Sequence, residues 1–115
     1  MKTNVQRGQV YWTNLDPVQG SEISKTRPCV ILSANEINSR RRTVVIVPLT
    51  NTPEAMHFPL VIDVPSAGIR SKARSEHIRS IDKSRLKSPI GRISDADLDS
   101  LSRGVAKVLG LNKAA

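Results

Sequence analysis

Three side chains with complementary chemistry stand out in the first half of the chain: the carboxylate of Glu22, the guanidinium of Arg27 and the hydroxyl of Thr50. Glu22 and Arg27 share one polar segment, Gly20-Ser21-Glu22-Ile23-Ser24-Lys25-Thr26-Arg27-Pro28-Cys29. Thr50 closes the apolar run Val44-Val45-Ile46-Val47-Pro48-Leu49-Thr50. A guanidinium offers forked donors to a phosphate and stays charged. A hydroxyl donates to a phosphate oxygen. A carboxylate either orients an arginine or takes a proton, and the second role needs desolvation to lift it from about 4.3 toward neutrality. These groups suit cleavage of a phosphodiester without a metal. Taken singly, each also has a plain structural role: an arginine at a strand edge paired with a carboxylate, a Glu22 ion pair with Arg27 or Lys25, and a threonine in a turn.

Charge and composition narrow the partners. The 115 residues carry 18 basic and 10 acidic side chains, a formal charge of +8, which favours a polyanion through attraction and counterion release. A basic domain with no nucleic-acid role, or one with an acidic protein partner, has the same composition. Tyr11, Trp12 and Phe58 are the only aromatics, too few for a binder built on successive stacking platforms. Cys29 is the only cysteine, so no intramolecular disulfide forms, and its apolar neighbours predict a buried packing role rather than a nucleophile. The spacing of Cys, His, Asp and Glu matches no metal site, so neither metal nor cofactor is expected. The first residues lack a signal-peptide core and no run reaches membrane-spanning length, which predicts a soluble, cytoplasmic protein.

The elements that must position these groups are short strands followed by one helix. Residues 9–14 and 43–49 read as strands, and residues 28–33 as a strand buried on both faces. Asp16-Pro17 ends the first, and residues 18–26 and 34–42 read as polar loops, the second ending in the basic tip Arg40-Arg41-Arg42. Residues 57–63 alternate with Phe58, Leu60 and Ile62 on one face, and Pro59 suggests an edge. His57, at the start of that strand, has no convergent partners. Residues 71–81 read as one further strand, which sets Arg74, Glu76 and Ile78 on one face and turns His77 to the other. Residues 82–92 read as basic turns. Ser94 is a helix N-cap with Asp97 at the third helical position. Leu98, Leu101, Val105, Val108 and Leu109 form the packing face, and Gly110 is the C-cap. The pattern predicts one domain over residues 1–115, mainly β, a small barrel or curled sheet covered by a C-terminal helix.

In order and spacing, the chain resembles the MazF/PemK toxins of type II toxin–antitoxin systems. The residues that carry the likeness are Arg7-Gly8-Gln9-Val10-Tyr11-Trp12, Leu15-Asp16-Pro17, Gly20-Ser21-Glu22, Lys25 to Ile31, Pro48-Leu49-Thr50, Glu76 to Leu86 and the closing helix. The resemblance implies the SH3-like barrel of the MazF, PemK and CcdB toxins, assembled as a homodimer. It implies a metal-independent, sequence-specific endoribonuclease (an mRNA interferase) that cleaves single-stranded RNA to 2′,3′-cyclic phosphate and 5′-hydroxyl ends. It also implies an acidic cognate antitoxin covering the RNA groove. By the match, Arg27, Thr50 and Glu22 are the catalytic positions, and Arg74, Glu76, Ser21 and Lys25 are auxiliary catalytic or RNA-binding positions. PemK-type members carry aspartate where Glu76 stands and histidine where Ser21 stands, so this chain relies more on Arg27 and Thr50. Two other readings share the fold or the charge. One is a gyrase-poisoning toxin, which needs an aromatic C-terminal end that Leu111-Asn112-Lys113-Ala114-Ala115 lacks. The other is a catalytically weak RNA-binding module, against which Arg27, Thr50 and Glu22 argue.

Overall fold

The computed structural model describes residues 4–15, 25–51 and 57–111. Strands β1 (Gln9–Asn14), β2 (Thr26–Ile31) and β3 (Thr43–Thr50) form its centre. β1 pairs antiparallel with β2, matching Val10 with Val30 and Asn14 with Thr26. β2 pairs antiparallel with β3, matching Ile31 with Ile46 and Cys29 with Pro48. The short β4 (Val61–Asp63) and β5 (Lys72–Arg74) continue the sheet beyond β3, and β7 (Leu86–Arg92) closes the other side against β1. β6 (Arg79–Asp82) also pairs with β3, along Thr43 to Ile46, whereas β5 takes its far end at Leu49 and Thr50. One strand therefore serves two neighbours in succession, which bends the sheet. Among the described strands it stays open rather than closing into a full barrel.

Alternation along β2 and β3 builds two cores. Val30, Leu32, Val47 and Leu49 face one way and meet Ile62, Val64, Leu101 and Val105 under the C-terminal helix, α2 (Asp95–Val108). Cys29, Ile31, Val44 and Ile46 face the other way and meet Tyr11, Leu15, Ile81 and Leu86. The expectation that the β2 run is buried on both faces holds. So does the burial of Cys29, which is 0% exposed.

Helix α2 begins as its sequence dictates. The Ser94 hydroxyl accepts the Asp97 N–H at 3.1 Å. Asp97 does not reach back to Ser94. Its carboxylate accepts from the Ser66 N–H and hydroxyl, while Ser66 Oγ accepts the Ser94 N–H. A residue 28 positions away thus completes a cap that the local sequence began. The helix ends at Gly110, φ +73, where the Gly110 N–H bonds Lys107 O and the Leu111 N–H bonds Ala106 O. Leu101 and Val105 pack inward, but Leu109 is 52% exposed, contrary to its place in the expected stripe.

Four other expectations need correction. Residues 34–42 hold a helix, α1 (Asn35–Arg40), with no apolar periodicity to announce it. It is held by a buried clasp in which Asn38 Nδ2 donates to Ser33 O, the Ser33 hydroxyl donates to Asn38 Oδ1, and Ser33 Oγ accepts the Val45 N–H. Residues 57–63 become strand only at Val61. Phe58 to Leu60 form a turn in which Pro59 cannot donate to a ladder, and Phe58 is left exposed. Residues 71–81 are not one strand: a 3-10 turn, Ser75–His77, separates β5 from β6. Finally, residues 82–92 contain a 3-10 turn, Lys83–Arg85, and then strand β7. β7 shows no apolar alternation because it is an exposed edge, where Pro89 is tolerated.

Candidate active site

The site originates in two prolines. Pro28 and Pro48 lack N–H donors, and the β2–β3 ladder ends where Cys29 meets Pro48. Beyond that pair β2 stays with β1, matching Arg27 with Thr13, while β3 turns to β5, matching Thr50 with Lys72. The strands part, and the register carried past the last pair sets Arg27 across from Thr50. The opening between them is a cleft of about 390 Å³ lined by Trp12, Lys25, Thr26, Arg27, Pro28, Leu49, Thr50, Asn51 and Ser71. Thr50 is 8% exposed and Arg27 is half-buried.

Arg27 also forms the wall of a second, smaller hollow. This one holds about 210 Å³ over the end of the second core, and Leu15, Lys25, Pro48, Leu49, Arg74 and His77 complete it. Lys25, Arg27 and Arg74 therefore put three cations around adjoining hollows, a concentration of positive charge suited to holding a phosphate chain. Cys29, two residues after Arg27 in β2, is buried. Burial pushes its thiol up to about 11, although Thr13, Arg79 and Arg27 all pull it down.

Arg74 and His77 reach this hollow from the 3-10 turn and the strand before it, and α2 helps to fix that turn. Ser75 is fully buried, and a methyl at Gly104 of α2 would lie 3.5 Å from its hydroxyl oxygen and 2.5 Å from Ile62 Cδ1. Only a glycine lets the helix approach so closely. On the far side, Arg79 Nη1 donates to Leu15 O at 3.0 Å and Arg85 Nη1 to Asn14 O at 3.2 Å, tying β6 and the 3-10 turn after it to the end of β1. At the opposite end of β6, the Ser84 N–H and hydroxyl hold the Asp82 carboxyl below its usual range, with Arg42 and Arg85 adding to the effect.

Of the expected site residues, Arg27, Thr50, Lys25 and Arg74 meet around these hollows. Glu22 and Ser21 lie outside the described residues. Glu76 is exposed in the 3-10 turn and lines neither hollow. The expected face shared by Arg74 and Glu76 does not exist, because the turn breaks strand alternation between them. The same break reverses the reading of His77, which lines the smaller hollow with Arg27 and Arg74 instead of facing away. In the sequence Trp12 is one of three aromatics and part of the first segment of the family likeness, with no site role attached. Its place beside Arg27 follows from the Trp12–Pro28 register, which needs the β1–β2 pairing to be known.

Comparison with known proteins agrees with this geometry. A family described as PemK-like, MazF-like toxin of type II toxin–antitoxin system matches residues 6–109. Endoribonuclease MazF9 of Mycobacterium tuberculosis is 34% identical over 115 residues, covering 93% of this chain and 98% of that protein. Among solved structures, an endoribonuclease from a mycobacterial species superposes with a TM-score of 0.79 at 26% identity, covering 99% of this chain and 98% of that one. An endoribonuclease in complex with its cognate antitoxin, also mycobacterial, superposes with a TM-score of 0.79 at 27% identity, covering 96% and 99%.

Proposed function

The chain belongs to the PemK-like and MazF-like toxins of type II toxin–antitoxin systems, and from that premise we propose that it is an endoribonuclease acting on single-stranded RNA. The observation that carries the reading is the parting of β2 and β3 after Cys29 and Pro48, which leaves Arg27 and Thr50 on either side of one cationic cleft. Single-stranded RNA brings an accessible 2′-hydroxyl and splayed bases to such a cleft.

In the proposed reaction the 2′-oxygen attacks the adjacent phosphorus. The 2′-O–P bond forms, the P–O5′ bond breaks, a base removes the 2′-hydroxyl proton and the departing 5′-oxygen is protonated. The products are a 2′,3′-cyclic phosphate and a 5′-hydroxyl. Arg27 donates its fork to the non-bridging oxygens, where negative charge grows, and the Thr50 hydroxyl donates a further bond. Preorganised donors of this kind contribute most where water is excluded. Lys25 and Arg74 hold the neighbouring phosphates. Glu22 and His77 are the candidates for proton transfer, Glu22 from the family match and His77 from its place in the smaller hollow. An acidic antitoxin, complementary to the +8 charge, is the proposed inhibitor, and the structure of a relative bound to its cognate antitoxin supports it. We assign the whole chain to one such domain, acting as a homodimer in the cytoplasm. No helix among the described residues is long and apolar enough to cross a membrane.

The test is cleavage of a long, mixed-sequence RNA in EDTA by the purified protein and by Arg27→Ala, with product ends mapped. Cuts at one short motif bearing 5′-hydroxyl ends, absent in the variant, are expected. A folded, antitoxin-free wild type that leaves the RNA intact refutes the reading, and activity that requires added Mg²⁺ refutes the mechanism.

A further inference from the structure

The larger cleft contains more than a phosphate site requires. On the face of the sheet that carries α2, Trp12 of β1 sits opposite Pro28 of β2, and the β2–β3 register carried past its last pair puts Leu49 in the same row. An indole, a proline ring and a leucine side chain thus form a continuous apolar floor. Leu49 is buried at 2% exposure, but Trp12 is 43% exposed, on a chain whose only tryptophan it is. The next row on that face is polar, with Thr26 opposite Asn14 and Asn51 following Thr50 into the cleft. Ser71 adds a hydroxyl to the lining. The charged groups Lys25 and Arg27 line the same cleft.

We infer that this cleft is a nucleobase pocket, in which Trp12 stacks the base of a nucleotide flanking the scissile phosphate and Asn51 reads its edge. The inference rests on the proposed RNA cleavage and adds to it the residues that set sequence preference. An exposed indole on an apolar floor suits the π-face of a base, and base–aromatic stacking is tolerant of sequence. A side-chain amide is different, because it presents both donors and an acceptor and so distinguishes one base edge from another. The volume, about 390 Å³, lies within the ~300–1,000 Å³ of small-molecule sites. One aromatic serves one base, so the scarcity of aromatics argues against an extended stacking track but not against a single stacked position. The pocket adjoins Arg27 and Thr50 directly, so a base held here fixes the register of the phosphate presented to them.

Two readouts separate this inference from the reading beneath it. First, because Trp12 is the only tryptophan, its fluorescence reports this pocket alone. Titration with a short all-2′-deoxy oligonucleotide, which lacks the attacking hydroxyl, should quench the emission to saturation. Second, cleavage sites are mapped on a mixed-sequence RNA. Trp12→Ala should lower kcat/KM by roughly 5- to 150-fold at every cut site, the range of one lost stacking contact. Trp12→Phe should recover most of it, which excludes a mere folding defect. Asn51→Ala should keep the 5′-hydroxyl ends but relax base preference at one position of the cut motif. An unquenched Trp12 with unchanged kcat/KM in Trp12→Ala overturns the pocket, as does an unchanged motif in Asn51→Ala. Absence of cleavage by the wild type instead overturns the proposed function.

Discussion

Gly104→Ala is the sharpest test of how α2 is seated on the sheet. In an exposed helix the change gains about 1 kcal/mol, because alanine loses less backbone entropy than glycine. Here the added methyl would lie 2.5 Å from Ile62 Cδ1 and 2.9 Å from Ile62 Cγ1, where carbon atoms normally rest about 3.5–4.0 Å apart. Ile62 is itself 5% exposed and packed among Leu101, Val105 and Val64, so it has little room to retreat. Overpacking of this kind costs about 1–3 kcal/mol. Set against the helix gain, this leaves a net expected loss of up to about 2 kcal/mol. In a domain of this size each kcal/mol lowers the melting temperature by about 4 °C. Circular dichroism melts of wild type, Gly104→Ala, Ile62→Val and the double variant measure it. Ile62→Val alone should cost about 0.5–1.5 kcal/mol. In the double variant the atom nearest the new methyl is gone, so the two losses should be clearly less than additive. A Gly104→Ala protein more stable than wild type would refute the close approach. The variant should also lose activity beyond its stability loss, since displacing the Ser75–His77 turn moves Arg74 and His77 in the smaller hollow.

Arg27→Lys keeps the charge but loses the fork, and its cleavage rate should fall by about 10²–10³-fold with the melting temperature unchanged; near-wild-type rates would mean that Arg27 acts only as a point charge. Alkaline stability should depend on Cys29. The unfolded thiol ionises near its ordinary value of about 9 while the folded one holds its proton to about 11, so the native state binds more protons in that window. Stability therefore falls as pH rises from about 9 through about 11, by roughly 3 kcal/mol from this group, and Cys29→Ala should flatten the slope in urea titrations. Tyr11, whose hydroxyl burial pushes up, adds a slope of the same sign that Cys29→Ala leaves in place. Ser94→Ala should cost about 1 kcal/mol by freeing the Asp97 N–H, read from the urea midpoint; no loss would mean that Ser66 and Asp97 hold the helix start without it.

The sequence by itself determined what depends on near neighbours. Apolar runs of β-branched residues gave β2 and β3 and their two-sided burial. Ser94 and Gly110 bracketed α2, because caps are satisfied within a few residues. Family membership was likewise legible, in the ordered set from Arg7-Gly8 to the closing helix, and from it come Arg27 and Thr50 as the proposed catalytic pair. Tertiary structure alone decided everything that turns on register or on partners far along the chain. Helix α1 has no periodicity and exists because Ser33 and Asn38 clasp each other and the β3 backbone. The strand expected over residues 71–81 breaks at Ser75, where α2 comes close enough at Gly104 to fix a turn, and that break moves His77 into the hollow and leaves Glu76 outside it. Trp12 reaches the cleft only through its pairing with Pro28, and the cleft opens because two prolines on facing strands end their ladder at one place. Local chemistry chose the candidate groups, whereas the missing hydrogen bonds between distant strands brought them to one opening.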